Sequence, residues 1–345
     1  MAADALQAAV RRLAFGESLT ADESADAFTL IMSGEATAAQ VAALLMALRV
    51  KGETPDEVAG AARALRGAMI PIDADERSAL VDTCGTGGGA VTTFNISTAA
   101  ALLAAGAGVR IAKHGNRSFT SRSGSADVLE ALGVPLDATP TVMSDVLRRA
   151  GVVFMFAPTL HPAMRHVGPI RRELGIPTVM NIVGPLANPA GAGRQVVGVA
   201  DRNRMALLAG ALSALGSVHA LVVYGEPGMD EVSPVGPTLV AEVRNGDVRE
   251  WVIDPGELGF NGISTDDLAG GDPATNARII EAVLAGEGPP GARAAVLLNA
   301  AAAIYVSGMV STLPEAVGKA RESLDSGAGR RALDRLRSAY AASGV

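Results

Sequence analysis

The residues best suited to chemistry lie between positions 83 and 126, a stretch without Asp or Glu in a chain of net charge −7. Four of its first seven residues are glycines, and hydroxyl and amide side chains follow at 93–98 and 116–125. Its cations are Arg110, Lys113, Arg117 and Arg122. A glycine-rich backbone presents N–H groups to an anion, and hydroxyls, amides and cations add further donors. The window therefore predicts a site for a polyanionic ligand.

The glycine run at 85–90 fits known phosphate loops only in part. It matches G-x-G-x-x-G/A, but a dinucleotide site needs an acid about 20 residues further on, and the next acid is Asp127. A Walker A loop would end in Gly-Lys-Ser/Thr, which is absent here. A helix is predicted to begin near Ser97 and Thr98, which favours phosphate at its N-terminus, although both hydroxyls also suit N-caps. On the loop alone, a glycine-rich turn without a ligand stays open.

Composition excludes several classes of protein. With 345 residues and 49% apolar residues, the chain is expected to be globular and to form two domains. The acidic balance and 3% aromatic residues argue against nucleic-acid binding. The single cysteine, Cys84, argues against a disulfide framework and a Cys-rich metal site. The apolar run at 294–310 is broken by Asn299 and Ser307 and predicts a buried helix, not a membrane span. No signal peptide is visible, so a cytoplasmic location is expected.

Two kinds of pattern divide the chain. The first ~70 residues predict a small helical domain, with capping boxes that begin at Thr20, Thr37 and Thr54. After Pro71, apolar runs at 79–83, 109–113, 152–157, 178–183 and 220–225 alternate with helical patterns at 98–105, 126–132, 142–150 and 204–215. Glycines at 106, 133, 151 and 216 are predicted helix C-caps, and Asn245-Gly246 predicts a β-hairpin. The alternation predicts a mostly parallel sheet covered by helices, with further helices in the C-terminal third.

Eight motifs stand in a specific order. They are D-x-x-G-T-G-G at 82–88, T-F-N-I-S-T at 93–98, K-H-G-N-R at 113–117, G-S-A-D-V-L-E at 124–130, H-P-A-M at 161–164, R-x-x-L-G at 171–175, N-x-x-G-P-L-x-N-P at 181–189 and G-M-D-E at 228–231. In this order and spacing, the chain resembles the anthranilate phosphoribosyltransferase family over nearly its whole length.

The resemblance implies a fold of the nucleoside phosphorylase/phosphoribosyltransferase type. A small N-terminal helical domain would span residues 1–72 and be completed in space by helices around 165–195. A larger α/β domain with a mostly parallel central sheet would span residues 73–345 and bind the phosphoribosyl group. The active site would lie in the cleft between them, and a homodimer would form through the helical domain.

The resemblance also implies a reaction. The amine of anthranilate would displace pyrophosphate from C1 of phosphoribosyl pyrophosphate (PRPP), the second step of tryptophan synthesis from chorismate. Mg²⁺ would be required, with two ions per monomer, and no residue would act as a covalent nucleophile. Two alternatives stay open: an enzyme like the pyrimidine nucleoside phosphorylases, and a non-catalytic relative that binds nucleic acid.

Site residues follow from the same resemblance, motif by motif. Metal binding is expected of Ser97, Asp230 and Glu231. Anthranilate contacts are expected of Gly85, His114, Asn116, His161 and Arg171. PRPP contacts are expected of Gly85, Gly88, Gly89, Thr93, Asn95, Ile96, Ser97, Thr98, Lys113, His114, Gly115, Asn116, Arg117, Ser118, Phe119, Thr120, Ser121 and Ser125. The chain departs from the family at Gly89, where Asp is common, and at Pro177 and Met180, where Arg and Phe are frequent.

Overall fold

The computed structural model describes residues 2–118 and 122–344. Phe119, Thr120 and Ser121, which the sequence analysis assigns to PRPP binding, lie outside the described residues. No helix within the described ranges combines the length and the apolar character that crossing a membrane requires.

The N-terminal region is helical, as predicted. It consists of α1 (Ala2–Ala14), α2 (Ala21–Met32), α3 (Ala38–Lys51) and α4 (Pro55–Ala68). Thr20, Thr37 and Thr54 each accept a hydrogen bond from the backbone three residues on, and the capping boxes of all three helices are complete. Local sequence thus determines where these three helices begin.

A seven-stranded sheet forms the centre of the rest of the chain. Its strands are β1 (Val81–Gly85), β2 (Ile111–Gly115), β3 (Val152–Phe156), β4 (Arg194–Gly198), β5 (His219–Gly225), β6 (Thr238–Arg244) and β7 (Asp247–Ile253). They lie in the order β3-β2-β1-β4-β5-β6-β7. The first five are parallel, and β6 and β7 form an antiparallel hairpin. The predicted hairpin turn is confirmed, with Asn245 at φ +51° and Gly246 at φ +93°.

Helices cover both faces of the sheet. They are α5 (Ile96–Gly106), α6 (Ser125–Ala131), α7 (Pro140–Ala150), α8 (Ala157–Leu160), α9 (Gly168–Leu174), α10 (Met180–Val183), α11 (Met205–Ala214), α12 (Pro273–Leu284), α13 (Pro290–Ser307), α14 (Leu313–Asp325) and α15 (Ala328–Ala341). The predicted buried helix at 294–310 is confirmed, because almost every residue of α13 is buried.

Two local predictions were wrong. Residues 178–183 are not a strand, since α10 occupies most of them and the Asn181 side chain closes a turn by accepting from the Thr178 N–H at 3.0 Å. Gly106 is no C-cap; it lies inside α5, where an added Cβ would meet Ser323 at 2.4 Å.

The fourth parallel strand, β4, was missed because it begins with polar residues. Arg194 and Gln195 donate to the backbone carbonyls of Val306 and Pro185, so their polar groups are satisfied within the fold. A strand whose polar side chains find distant partners carries no local apolar signal.

A shared core joins the N-terminal helices to the middle of the chain. Leu44, Leu45 and Val58 of the bundle belong to the same buried cluster as Val167 and Val183, and this cluster also includes the face of β4 and β5 that α11 covers. A second buried cluster lies on the opposite face of the sheet, around α5 and α13.

Candidate active site

The centre of the sheet is a topological switch point. From β1 the chain proceeds to β2 and β3 on one side, whereas β4 and β5 lie on the other. Loops that leave β1 and β4 therefore diverge, and such a crevice at the carboxyl ends of strands is where open α/β sheets bind ligands. The predicted site segments lie at these ends: the glycine loop after β1, 114–118 at the end of β2 and beyond it, 161–171 after β3, and 230–231 after β5.

Two glycines at this crevice make room for an acidic turn. Gly85 ends β1 and Gly198 ends β4, and the two residues are paired in register. A Cβ at Gly85 would lie 2.2 Å from Asp230 Oδ2, and one at Gly198 would lie 1.5 Å from the Asp230 carbonyl oxygen. The Gly87 N–H donates to Asp230 Oδ2 at 2.7 Å. The glycine loop thus holds an acidic residue as well as offering backbone to a ligand.

Gly87 and Gly88 explain why this loop needs glycine at its tip. Their φ values are +70° and +82°, and an added Cβ on either would meet no atom within 4 Å. The requirement is therefore conformational, since L-residues with side chains rarely adopt this region. Open space above the loop leaves its backbone accessible to a ligand.

Asp230 and Glu231 form the acidic centre of the site. Both residues line one small cavity with Ser97 and Asn299. Desolvation raises the pKa of each, and the neighbouring Asp230 charge raises the pKa of Glu231 further. Two carboxylates that repel each other in a desolvated crevice are stabilised by a hard cation, for which carboxylate and hydroxyl oxygens are suitable ligands. The residues present fit Mg²⁺, although the described chain contains no group of three His, Cys, Asp or Glu that would enclose a metal alone.

Lys113 lies at the floor of the crevice. Its side chain is buried, and its Nζ donates to the Thr83 carbonyl and to Ser97 Oγ, the latter at 3.2 Å. Burial lowers the pKa of Lys113, and the charge of Asp82 opposes that effect. Lys113 is therefore a buried cation beside the acidic pair, not a solvated surface charge.

Asp82 fixes the strand that carries Lys113. Its carboxylate is fully buried and accepts from the His114 N–H at 3.1 Å and from Asn188 Nδ2 at 2.7 Å. Burial raises the pKa of Asp82, while the Lys113 charge and these hydrogen bonds oppose the rise. A buried carboxylate with a cation and two donors joins β1, β2 and the 184–189 segment below the site.

The 93–98 run serves the scaffold more than the ligand surface. Asn95 Nδ2 donates to the Ser123 carbonyl at 3.0 Å, and Asn95 Oδ1 accepts from Ser123 and Asn276. Helix α5 begins at Ile96, after Asn95 and without a side-chain cap, so the alternative in which Ser97 and Thr98 act as N-caps does not hold. Ile96 and Thr98 are buried, and Thr93 bridges to Ala269. Ser97 is the member of this run that lines the cavity of the acidic pair.

The described part of the 115–125 segment is held to α6. Arg117 is exposed, and its guanidinium lies 2.7 Å from Asp127 and 2.9 Å from Glu130. Ser125 Oγ donates to the Asn116 carbonyl at 3.3 Å, and a Cβ at Gly115 would meet Ser125 Oγ at 2.2 Å. The predicted phosphate contact of Arg117 would therefore compete with two carboxylates.

A separate group of side chains comes from the end of β2 and from the segment after β3. The ring centroids of His114 and His161 are 4.9 Å apart, and both side chains are buried. Burial lowers the pKa of His114 to about 3, with the His161 ring adding to the shift, and burial lowers the pKa of His161 to about 4. His114 Nε2 is buried without a hydrogen-bond partner among the described residues. The pair thus consists of neutral imidazoles at physiological pH.

Arg171, on α9, is a half-buried cation in the segment that follows β3. Burial lowers its pKa, and its guanidinium has no hydrogen bond or ion pair to residues 2–118 or 122–344. The adjacent Arg172 is exposed. A desolvated guanidinium without an acidic partner is suited to an anionic ligand such as a carboxylate.

Sequence reasoning assigned no role to several residues that build the site. Asp82 and Asn188 lie within the motifs, Asn299 interrupts an apolar run, and Gly198 belongs to the unpredicted strand β4. The available signals were an acid inside a buried strand and an amide inside an apolar helix, because such polar groups stay buried only with partners.

Comparison with known proteins first defines the class. A model of the glycosyl transferase family, a/b domain, matches residues 77–330, and a model of the glycosyl transferase family, helical bundle domain, matches residues 7–69. The chain is thus a glycosyl transferase with a helical bundle and an α/β domain, which confirms the predicted fold class.

Individual relatives define the family more closely. Anthranilate phosphoribosyltransferase of Symbiobacterium thermophilum is 50% identical over 96% of this chain and 97% of its own length, and that of Rubrobacter xylanophilus is 52% identical over 96% of each. The crystal structure of the Thermus thermophilus enzyme matches with a TM-score of 0.90 and 43% identity, over 96% of this chain and 98% of that one. The Saccharomyces cerevisiae enzyme in complex with PRPP and Mg matches with a TM-score of 0.88 and 29% identity, over 98% of each. The chain belongs to the anthranilate phosphoribosyltransferase family, and the resemblance seen in its motifs is confirmed.

Proposed function

We propose that this chain transfers the phosphoribosyl group of PRPP to the amine of anthranilate, giving N-(5-phosphoribosyl)anthranilate and pyrophosphate, the second step of tryptophan synthesis from chorismate. The observation that carries the proposal is the meeting of the glycine loop, Lys113 and the acidic pair at one switch point, in a chain of this family. Neither alternative function requires an acidic pair beside a phosphate loop.

The glycine loop and Lys113 hold the pyrophosphoryl end of PRPP. Open backbone at Gly87 and Gly88 and the positive end of α5 offer fixed dipoles, and buried Lys113 adds a full charge. These groups favour the transition state because negative charge grows on pyrophosphate as its bond to C1 breaks. Pre-organised donors in a desolvated crevice need no rearrangement during that step.

Asp230, Glu231 and Ser97 hold Mg²⁺ in this proposal. The yeast relative has been solved in complex with PRPP and Mg, and the cavity of this chain offers two carboxylates and a hydroxyl. When bound, Mg²⁺ neutralises charge on the pyrophosphate oxygens. We propose two ions per monomer, since two carboxylates and a highly charged leaving group exceed what one divalent ion neutralises.

Arg171, His114 and His161 form the acceptor side. The guanidinium pairs with the carboxylate of anthranilate, and the buried imidazoles line the path of the ring without repelling that guanidinium. A yeast relative has been solved with 4-fluoroanthranilate. The aniline nitrogen is neutral at physiological pH, so the reaction needs the amine to be positioned against C1 of PRPP and does not need a strong general base. No side chain is needed as a covalent nucleophile.

The proposal includes assembly, domains and location. A helical domain at 1–72, completed by 165–195, and an α/β domain at 73–345 agree with the shared core that joins α3 and α4 to Val167 and Val183.

A homodimer through the helical domain is supported by Phe15 and Val50, which are 85% and 80% exposed. A cytoplasmic location is supported by one unpaired cysteine, Cys84, in place of a disulfide framework.

Loss of anthranilate fluorescence tests the reaction directly. Purified protein with anthranilate, PRPP and Mg²⁺ is expected to consume anthranilate, and omission of PRPP or addition of a chelator is expected to stop it. Parallel reactions contain uridine with inorganic phosphate, or labelled DNA. Phosphorolysis without anthranilate consumption would establish the phosphorylase alternative, and DNA binding alone would establish the non-catalytic one.

Adjacent arginines test the acceptor side. Arg171→Ala is expected to raise the anthranilate KM about 10- to 100-fold, because the carboxylate loses a charge-assisted partner. PRPP affinity should stay within about twofold, since the phosphate donors lie elsewhere. Arg172→Ala is the matched control, and steady-state kinetics with calorimetry of PRPP binding are the measurements. A loss of PRPP affinity in Arg171→Ala, or greater sensitivity at Arg172, would place the acceptor elsewhere.

A further inference from the structure

Asn299 is an unusual residue for its position. It lies in the middle of α13, where residues 294–304 are otherwise apolar and buried, and it is 5% exposed. Asn is a poorer helix former than the surrounding alanines, and a buried amide is costly unless its donors and acceptor are satisfied. Its presence there calls for hydrogen bonds that an apolar side chain would not make.

Two of the three side-chain hydrogen bonds of Asn299 involve one residue, Val232. Asn299 Oδ1 accepts from the Val232 N–H at 2.9 Å, and Asn299 Nδ2 donates to the Val232 carbonyl at 2.8 Å. Nδ2 also donates to the Ala295 carbonyl at 2.9 Å, one turn earlier in α13. Both N–H donors are used, so the amide is held in one orientation with respect to the helix. Asn299 thereby joins both backbone polar groups of Val232 to a rigid buried helix.

Val232 directly follows the acidic pair. Asp230 is fixed from the other side by the Gly87 N–H and by the room that Gly85 and Gly198 leave. Glu231 lies between that contact and Val232, and Asn299 lines the same cavity as both acidic residues. The acidic turn is thus held at two points, one on the glycine loop and one on α13.

We propose that Asn299 is a positioning residue for the metal site: by clamping Val232, it holds Asp230 and Glu231 in the arrangement that binds the divalent cation. The inference rests on the proposed function for the identity of the metal site, and it adds a residue from the C-terminal half of the chain. Residues that orient ligands affect metal affinity by about 10- to 100-fold when they are changed.

The test measures metal binding without substrate or turnover. Mn²⁺ alone is titrated into wild-type and variant protein, and free Mn²⁺ is counted by electron paramagnetic resonance. Asn299→Leu fills a similar volume without hydrogen bonds and is expected to weaken Mn²⁺ binding about tenfold. Asn299→Ser, which keeps a hydroxyl and leaves room for water, is expected to be intermediate and covers the case in which Asn299→Leu does not fold.

Tyr305→Phe is the matched control, since it removes a buried hydrogen bond from the same helix to Glu242 rather than to Val232. It is expected to lower the melting temperature and leave Mn²⁺ binding unchanged. In an Asp230→Asn, Glu231→Gln background, the Asn299 substitutions should have no further effect on Mn²⁺ binding.

Three results would overturn the proposal: wild-type protein that binds no Mn²⁺, Asn299 variants that bind it like the wild type, or Tyr305→Phe that weakens binding as much. A negative anthranilate assay with a positive Mn²⁺ result would remove the proposed reaction and leave the role of Asn299 standing.

Discussion

The switch point and strand β6 both place carboxylates in desolvating surroundings, and the two regions differ in what surrounds those carboxylates. At the switch point, Asp230 and Glu231 are neighbours, and the Gly87 N–H donates to the Asp230 side chain. On β6, Glu242 is 2% exposed and accepts four hydrogen bonds, of 2.7–2.9 Å, from His219, Tyr305, Arg249 and Trp251. The acidic pair at the switch point thus receives fewer hydrogen bonds than its two carboxylates can accept, whereas the single carboxylate of Glu242 receives four.

The two regions shift carboxyl pKa values in opposite directions. Burial would raise the pKa of Glu242, but hydrogen bonds from Arg249, Tyr305 and His219 outweigh it, and the pKa lies below its ordinary value. Desolvation and the charge of Asp230 raise the pKa of Glu231 well above its ordinary value. A carboxylate whose oxygens all accept hydrogen bonds stabilises the fold, whereas a pair of carboxylates with fewer donors can still bind a cation through its free oxygens. The supply of hydrogen-bond donors to the carboxylates distinguishes the two roles.

The largest effect is expected from Asp230→Asn combined with Glu231→Gln. Neutral amides are poor ligands for Mg²⁺, so turnover should fall about 100-fold or more. The melting temperature should stay the same or rise, because the substitution removes a repulsion. Anthranilate kinetics across a Mg²⁺ titration, with thermal unfolding, are the measurements. Wild-type turnover in the double variant would rule out a metal role for the pair.

Glu242→Gln should show the reverse pattern. The glutamine side chain would present one oxygen that accepts and one –NH₂ group that only donates, so some of the four donors around it would lose their acceptor. The free energy of unfolding is therefore expected to fall by about 3 kcal/mol. Turnover below the melting temperature should stay within about twofold, because the network contacts none of the proposed site residues. Urea unfolding and kinetics decide it. A loss of activity without a loss of stability would contradict the division between the two regions.

Acid sensitivity extends the comparison to histidines. His219 bonds to Glu242, whereas His114 Nε2 has no partner among the described residues. The pKa of His114 is lowered to about 3 and that of His161 to about 4, so both bind protons more readily when unfolded. Stability should therefore be full above pH ~6.5 and fall by up to about 1.4 kcal/mol per pH unit per imidazole as the pH drops toward 4. Urea unfolding of His114→Gln should show a shallower slope over this range, and a slope equal to that of the wild type would contradict the burial argument.

Gly89→Asp should have the smallest effect. It tests whether a third carboxylate beside Asp230 and Glu231 contributes to metal binding. A Cβ at this position would lie 3.7 Å from Asp230 Oδ1 and 3.0 Å from the Gly228 carbonyl oxygen, so the new carboxylate fits after a small shift. It should tighten Mg·PRPP binding a few-fold at high Mg²⁺ and weaken PRPP binding at low Mg²⁺, since a third carboxylate repels the others and bare phosphate. The PRPP KM at several Mg²⁺ concentrations is the measurement. The same change at every concentration would show that the added carboxylate does not meet the metal.

Features set by neighbouring residues could be predicted from the sequence. The capping boxes at Thr20, Thr37 and Thr54 and the Asn245-Gly246 turn depend on contacts within a few residues, and all four are confirmed. Residues 178–183 were assigned wrongly because an apolar run of six residues suits a strand and a buried helical turn equally well. The motifs that contain the glycine loop and the acidic pair likewise indicate the family from the sequence alone.

The sequence by itself thus determined the helical N-terminus, the alternating α/β order, the family and the chemical types at the site. Only the tertiary structure decided which of these residues meet. The switch point brings Gly85 beside Gly198 and both against Asp230, although β1 and β4 lie far apart along the chain. The tertiary structure also pairs Arg117 with Asp127 and Glu130, and it brings the Asn299 side chain into hydrogen-bond contact with Val232. Such contacts depend on strand order and on packing between distant segments, which no local pattern encodes.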